Sequence, residues 1–229
     1  MKKSIFITGT DTDIGKTYIA GELVRLLRKE GRNVSYYKGI LSGALKTKDD
    51  LLPGDALEVI ERAGLEDDPK DLVSYIYEEA ISPHLAARGL KEKPDLEKIY
   101  DDFANLIQKY EGLVVEGSGG ILCPLWLEEE VILLEDLIKK LNLSVLVVAS
   151  SDLGTINHTI LTISYLKDKK IPIKGIIFNH YNENLEIHRD NLESIEGLTG
   201  ISVIGFAKEN GELTLRKGKN WWDILELWK

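Results

Sequence analysis

A glycine-bounded loop near the N-terminus carries the residues best suited to chemistry, in the order Gly9-Thr10-Asp11-Thr12-Asp13-Ile14-Gly15-Lys16-Thr17. Backbone N–H groups of such a loop, and of the helix that follows it, can surround phosphate oxygens. Lys16 would bring a positive charge to the outer phosphates. The Thr17 hydroxyl is a hard oxygen ligand of the kind that Mg²⁺ prefers. The spacing therefore predicts a phosphate loop for a magnesium-bound nucleotide.

The loop departs by one position from the common pattern, in which about four residues separate the first glycine from Gly-Lys. Thr10 occupies that glycine position, and Gly9 lies one residue earlier. An ordinary solvated turn is the alternative. The flanking sequence favours the phosphate loop, because an apolar strand-like run at 4–8 precedes it and a helix with an apolar face follows it.

Two further charged side chains follow predicted strands. Lys38 comes after a strand predicted at 33–37, and Glu116 ends an apolar strand at 113–116 with a glycine run behind it. Ligands of parallel α/β sheets gather outside the carboxyl ends of the strands, so Lys38 is either a ligand contact or a surface charge. An acid at the end of a strand is where phosphate-loop proteins place a second Mg²⁺ contact, and an exposed turn glutamate is the alternative.

Three weaker candidates have ordinary structural explanations. Asp55 starts a helical pattern, where an aspartate is typical of an N-cap. The segment 152–158 leads into a helix whose N-terminus could receive an anion, although a normal capped helix accounts for it equally well. Asn179 ends an apolar strand and could read a purine edge, but asparagine is also a common turn residue.

The elements that must position these residues alternate between strands and helices. Further strands are predicted at 72–77, 144–149, 175–179 and 202–206, and a long loop at 39–54. With no repeat or linker, the pattern predicts a single α/β domain over residues 1–229, a mainly parallel β-sheet flanked by helices.

Bulk composition narrows the class of protein. The chain has 229 residues and a net charge of −9, which argues against a general nucleic-acid surface. Its lone Cys123 allows no intrachain disulfide, and it reads as a small buried thiol. No apolar run is long enough to span a membrane or to form a signal peptide, so we expect a soluble cytoplasmic protein. Trp221 and Trp222 are expected to contribute to packing and not to function.

Several separated segments together resemble the dethiobiotin synthetase family of the P-loop NTPase superfamily, and the one-residue shift in the loop is that family's form. The matching segments occur in the family's order: 9–17, Tyr37-Lys38, Ser42-Gly43, 55–57, Ser82-Pro83-His84, Glu116-Gly117-Ser118-Gly119-Gly120, 153–158 and Asn179.

The resemblance implies an ATP-dependent ligase of biotin biosynthesis that works as a homodimer with Mg²⁺. One amine of 7,8-diaminononanoate captures CO₂ as a carbamate, ATP phosphorylates it, and the second amine closes the ring of dethiobiotin. Lys16, Lys38 and Thr12 would hold the carbamate and the γ-phosphate, and Ser42, Gly117 and Leu153 would contact the diamine.

The resemblance also implies a nucleotide and metal set. Magnesium would be held by Thr17, Asp55 and Glu116. The predicted nucleotide contacts are Asp13, Ile14, Gly15, Lys16, Thr17, Tyr18, Asp55, Glu116, Gly117, Ser118, Gly119 and Asn179.

The chain departs from the family's pattern at a few positions. Gly39 replaces a usual proline, Ser118 replaces a usual alanine, and the segment 206–208 lacks a proline, which leaves the base preference open. The alternative function is a P-loop switch or partition ATPase. Those proteins usually carry a second lysine early in the loop, where this chain has Thr10, Asp11 and Thr12.

Overall fold

The computed structural model describes residues 3–208, 211–216 and 221. The strands are β1 Lys3–Gly9, β2 Val34–Ser42, β3 Leu45–Lys46, β4 Leu51–Leu52, β5 Val73–Tyr77, β6 Gly112–Gly120, β7 Pro124–Trp126, β8 Ile132–Leu133, β9 Val145–Ser150, β10 Ile173–Asn179, β11 Val203–Ala207 and β12 Leu213–Leu215. Eight of these strands form the central sheet, in the order β12-β11-β10-β9-β1-β6-β2-β5. The helices are α1 Lys16–Lys29, α2 Gly54–Ala63, α3 Pro83–Leu90, α4 Leu96–Lys109, α5 Leu134–Leu141, α6 Thr155–Asp168 and α7 Glu186–Thr199.

Neighbouring strands of the main sheet run parallel, except that β12 pairs antiparallel with β11. The predicted α/β class with a mainly parallel sheet is therefore confirmed. Because β1 lies between β6 and β9, the phosphate loop leaves the sheet at its centre, where strand ends on both sides can reach it.

Apolar strand residues explain why this sheet forms and stays buried. Ile5, Phe6 and Ile7 of β1 are fully buried, and so are Val145 to Ala149 of β9. Continuous apolar runs of this kind are typical of parallel strands that are covered on both faces. Among the described residues, no helix combines the length and the apolar character needed to cross a bilayer.

Two strands are longer than predicted. The second strand was expected to end at Tyr37, but β2 continues to Ser42, so Lys38 lies inside the strand. The fourth residue of the glycine run, Gly120, is the last residue of β6, so that run is strand and not a turn. Pairing with a single neighbour continues each strand through residues that a local pattern treats as breaks: beyond Lys38, β2 pairs with β5, and Gly120 of β6 is aligned with Gly9 of β1.

Smaller differences concern loops and helix starts. The predicted loop at 39–54 contains the end of β2 and the short β3–β4 pair. Asp55 is not an N-cap, since Pro53 holds that position and Asp55 lies in the first turn of α2. Trp221 is buried as expected, whereas Trp222 lies outside the described residues.

Candidate active site

The phosphate loop, residues 9–17, has a backbone that few side chains tolerate. Gly15 has a φ of +88°, and a Cβ there would stand 2.1 Å from Asn179 Nδ2. Asp13 also has a positive φ, of 55°. Asn179 Nδ2 donates to the carbonyl of Ile14 at 3.0 Å, so the end of β10 supports the loop. Glycine at position 15 is therefore required by both conformation and space.

The loop opens into α1, whose N-terminus has no side-chain cap and no acidic residue in its first turn. Its first N–H groups are thus available to an anion, and the helix dipole adds positive potential there. Lys16 is 7% exposed, and its Nζ donates to the carbonyl of Asp11 at 2.9 Å. Burial lowers the pKa of Lys16, although the nearby Glu116 carboxylate offsets part of that effect. This arrangement suits the binding of phosphate.

Beside the loop lies a group that we call the cation cluster: Thr17, Lys38, Asp55 and Glu116. Lys38 Nζ donates to Glu116 Oε1 at 2.8 Å and also contacts Asp55 Oδ2. Thr17 Oγ1 donates to the same Glu116 oxygen at 2.9 Å. Four residues that are far apart in the sequence therefore form one hydrogen-bonded group.

Strand register brings the cation cluster together. Lys38 of β2 and Ile7 of β1 are both aligned with Glu116 of β6. Glu116 therefore lies between the strand that carries Lys38 and the strand that leads into the phosphate loop. Asp55 is added from α2, which packs on α1.

Two of the three charged side chains of the cation cluster are buried, whereas the Asp55 side chain is 37% exposed. Lys38 is 5% exposed and Glu116 is 2% exposed. Burial alone would lower the pKa of Lys38, but the Glu116 and Asp55 carboxylates outweigh it and raise that pKa to about 12. Lys38 is therefore a fixed cation at neutral pH. Removing one member of a buried charge pair typically costs about 3–5 kcal/mol, so the charges of this group depend on one another.

Tyr36 also reaches Glu116, and the sequence left its role open. Its hydroxyl donates to Glu116 Oε2 at 2.7 Å. Burial raises the pKa of Tyr36, and the Glu116 charge raises it further, so the phenol is a neutral donor. A tyrosine within an apolar strand reads as core. The only sign of this role in the sequence is that Tyr36 lies two residues before Lys38, because residues two apart share a face of a strand.

A cleft of about 450 Å³ joins the phosphate loop to the cation cluster. It brings together most of the predicted site residues. Its lining is Thr12, Asp13, Gly15, Lys16, Thr17, Tyr18, Lys38, Ser42, Asp55, Glu58, Glu116, Ser118 and Gly119. Glu58, one helical turn after Asp55, is a residue that the sequence reading missed.

Some predicted residues lie outside this lining. Gly117 is packed behind the cleft, where a Cβ would stand 2.7 Å from Phe6 and 2.9 Å from Leu134. Leu153 is 90% exposed. Asn179 supports the loop by donating a hydrogen bond to the carbonyl of Ile14. Substrate contact by Gly117 or Leu153, and reading of the base by Asn179, stay predictions.

Cys123 lies beside the cleft without being activated. A Cβ on Gly119 would stand 3.3 Å from its sulfur. Burial raises the pKa of the Cys123 thiol to about 11, although Lys16 and Lys38 act in the opposite direction. The thiol is therefore protonated at neutral pH, although Cys123 is half-buried and not fully buried as predicted.

The oxygen atoms of the cation cluster suit Mg²⁺. Thr17 Oγ1 and Lys38 Nζ both donate to Glu116 Oε1, and Lys38 Nζ also contacts Asp55 Oδ2. The hard oxygen atoms of these three residues therefore lie around a positive charge, the ammonium of Lys38. The described residues hold no group of three or more His, Cys, Asp or Glu side chains arranged for a metal. Mg²⁺ needs few protein ligands, because it keeps waters and takes phosphate oxygens.

Comparisons with known proteins agree with this geometry. A family profile described as an AAA domain matches residues 3–215. An ATP-dependent dethiobiotin synthetase BioD from Clostridium perfringens is 48% identical over 204 residues, which cover 89% of this chain and 90% of the relative. The protein of the same name from Brachyspira hyodysenteriae is 43% identical over 206 residues, or 90% of this chain and 91% of the relative.

A solved structure is similar in fold only. The ParA family ATPase from Chlorobium tepidum superimposes with a TM-score of 0.57, and the match covers 100% of this chain and 93% of that one. The two sequences are 14% identical, so the similarity supports a phosphate-loop α/β fold and says nothing of a partition function.

Proposed function

The chain belongs to the dethiobiotin synthetase family, and from this premise we propose that it is an ATP-dependent ligase that forms dethiobiotin in biotin biosynthesis. The single observation that carries the proposal is the cleft in which Lys16, Lys38 and the two carboxylates of the cation cluster converge. With a divalent cation on the two carboxylates, Lys16 and Lys38 would both be left to face a reaction whose intermediates are anions that need fixed positive charge.

The proposed reaction has three steps. An amine of 7,8-diaminononanoate adds to CO₂ and loses a proton, which gives a carbamate. A carbamate oxygen then attacks the γ-phosphorus of ATP, and the bond from that phosphorus to the bridging oxygen of ADP breaks. The second amine attacks the carbonyl carbon of this carbamic–phosphoric anhydride, phosphate leaves, and the cyclic urea closes. No protein nucleophile is needed.

Positioned cations are the main catalytic resource in phosphoryl transfer. In our proposal Lys16 neutralises the outer phosphates, and Lys38 neutralises the carbamate and the phosphoryl group that is being transferred. Support for Lys38 comes from its burial and its fixed charge at neutral pH. Thr12, which lines the same cleft, would donate to the carbamate.

Thr17, Asp55 and Glu116 would hold a magnesium ion, supported by the oxygen donors that meet around Lys38. When bound, Mg²⁺ supplies charge neutralisation between the phosphates and helps to align them for in-line transfer. The chain itself fixes the carboxylates that would bind it, since Glu116 is buried in a central strand.

The diamine would lie toward Ser42, at the end of β2, with Gly117 and Leu153 as further contacts. The other predicted nucleotide contacts are Asp13, Ile14, Gly15, Tyr18, Ser118, Gly119 and Asn179. We also infer that the chain is cytoplasmic and works as a homodimer, the dimer being what the family resemblance implies. Sedimentation of the purified chain at a single molar mass of one subunit would contradict the dimer.

One assay tests the proposed function. Purified protein is mixed with ATP, Mg²⁺, bicarbonate and 7,8-diaminononanoate, and dethiobiotin and ADP are measured by mass spectrometry. We expect dethiobiotin and ADP in equal amounts, both dependent on the diamine. ATP hydrolysis that needs no diamine, with no dethiobiotin formed, would overturn the proposal and favour the switch or partition ATPase.

A further inference from the structure

The two oxygens of the Glu116 carboxylate have different surroundings. Oε1 receives Thr17 Oγ1 at 2.9 Å and Lys38 Nζ at 2.8 Å, and both donors line the cleft. Oε2 receives the hydroxyl of Tyr36 at 2.7 Å. Tyr36 is fully buried and does not line the cleft. One oxygen therefore belongs to the reaction site and the other to the protein core.

We propose that Tyr36 is a positioning residue that holds Glu116 with one oxygen turned toward the cleft, and thereby sets how strongly the enzyme binds Mg²⁺ together with its nucleotide. The inference rests on the proposed function only in taking Glu116 as a magnesium ligand. No contact of Tyr36 with substrate is part of it.

The register of the sheet explains why Tyr36 can act in this way. Tyr36 is aligned with Val114 and Lys38 with Glu116, on the adjacent strand β6. Residues two apart on a strand share a face, so Tyr36 and Lys38 reach the same carboxylate from the same side of β2. The two donors therefore approach Glu116 from one rigid strand and limit how its carboxylate can rotate.

The hydroxyl also satisfies an oxygen that has no other donor in the described structure. Without the Tyr36 hydroxyl, Oε2 of Glu116, a side chain that is 2% exposed, would have no hydrogen bond. Alternatively, the carboxylate would rotate and share the donors Thr17 and Lys38 between its two oxygens. Either change disturbs the oxygen that faces the cleft. Loss of an outer partner of a metal ligand typically lowers metal affinity by about 10–100-fold.

The neighbouring residue provides a matched control. Tyr37 is fully buried like Tyr36, and its hydroxyl also makes hydrogen bonds, to Ser74 Oγ at 2.6 Å and to the carbonyl of Ile99 at 2.8 Å. Ser74 belongs to β5, the strand beside β2 in the sheet, and Ile99 belongs to α4. Because successive residues of a strand point to opposite faces, Tyr37 lies on the other face of β2 from Tyr36. Tyr36→Phe and Tyr37→Phe therefore remove the same atom from equally buried side chains, but only the first removes a donor to Glu116.

The experiment measures the affinity of each variant for a non-hydrolysable ATP analogue by calorimetry, with Mg²⁺ and with EDTA. We expect Tyr36→Phe to reduce the gain in affinity from Mg²⁺ by about tenfold or more. Its affinity in EDTA should match that of the unmodified protein. Tyr37→Phe should leave both affinities unchanged. Thermal unfolding of both variants checks that each is folded.

A double-mutant cycle tests whether Tyr36 acts through Glu116. Once Glu116→Gln is present, adding Tyr36→Phe should cause no further loss of the Mg²⁺ effect. An unchanged Mg²⁺ effect in Tyr36→Phe, equal losses in Tyr36→Phe and Tyr37→Phe, or additive losses in the double variant would each overturn the inference. These binding measurements do not depend on dethiobiotin being formed, so failure of the proposed function is seen separately.

Discussion

The phosphate loop and the cation cluster meet in one cleft, but the chain builds them in different ways. The loop is a single segment, residues 9–17, whose backbone N–H groups would bind phosphate together with the side chain of Lys16. The cation cluster takes one residue from each of four elements and is built around the buried ion pair of Lys38 and Glu116. Substitutions that change the backbone of the loop should therefore affect nucleotide binding, whereas substitutions in the cluster should affect magnesium binding and turnover.

The largest effect is expected from Lys38→Ala. Loss of a charge that acts on the transition state should lower the rate of dethiobiotin formation by about 100-fold or more, while affinity for the nucleotide without Mg²⁺ stays nearly the same. The comparison is with Lys98→Ala, which removes a lysine paired with Asp102 on α4, away from the cleft. Turnover equal to that of the unmodified enzyme would remove Lys38 from the mechanism.

Glu116→Gln should act on the metal. We expect the increase in nucleotide affinity that Mg²⁺ provides to fall by about tenfold or more, because a neutral amide is a weaker ligand than a carboxylate. Glu135→Gln is the control, since Glu135 is also buried, at 5% exposure, but lies on α5 and contacts Lys139 and Lys169. Equal Mg²⁺ effects in the two variants would return Glu116 to a structural role.

A glycine pair separates conformational strain from the function of the loop. Gly15→Ala and Gly31→Ala both place a side chain at positive φ, +88° and +79°, but only Gly15 has a neighbour within reach of a Cβ. Both variants should lose about 1–3 kcal/mol of unfolding free energy in denaturant titrations. Only Gly15→Ala should also weaken nucleotide binding, by about tenfold, or about 1.4 kcal/mol. Equal nucleotide affinities would mean that the contact with Asn179 does not matter.

The smallest effect is expected from Ser42→Ala, at the end of β2, where Ser42 lines the cleft. Loss of one neutral hydrogen bond to the diamine is worth about 1 kcal/mol, so its KM should rise about fivefold. The KM for ATP should not change, and initial rates at varied concentrations of each substrate provide the test. An increase in the KM for ATP alone would place Ser42 on the nucleotide side.

The sequence was sufficient for the phosphate loop because all of its information lies in one segment between a strand and a helix. The α/β class was predictable for a related reason, since strands and helices alternate and the strands are continuously apolar. Both predictions use patterns that neighbouring residues display.

The ends of the strands were not predictable in this way. The sequence predicts that the strand ends at Glu116, with a turn as the alternative for the glycines behind it, but β6 continues to Gly120. Gly117 leaves space for Phe6 and Leu134, and Gly39 of β2 leaves space for Leu137 and Ile99. These contacts come from residues distant in the sequence, and no local pattern reports them.

The cation cluster shows the same limit more clearly. Lys38 and Glu116 could each be nominated from a strand position, yet their 2.8 Å contact depends on the register between β2 and β6. The hydrogen bond from Tyr36 to Glu116 depends on that register as well. In the sequence Tyr36 looks like a core residue, so this contact could not be predicted.

The place of the site within the sheet has a consequence for how the protein loses activity. The strands that carry it, β1, β2 and β6, are each bordered by two other strands, whereas β5 and β12 form the edges. Local opening of a sheet starts where backbone protection is lowest, so amide hydrogens of the border strands should exchange with solvent first. Local opening of the edge strands β5 and β12 would leave the candidate active site assembled. Under mild denaturation, synthesis should therefore stop only when the molecule unfolds as a whole.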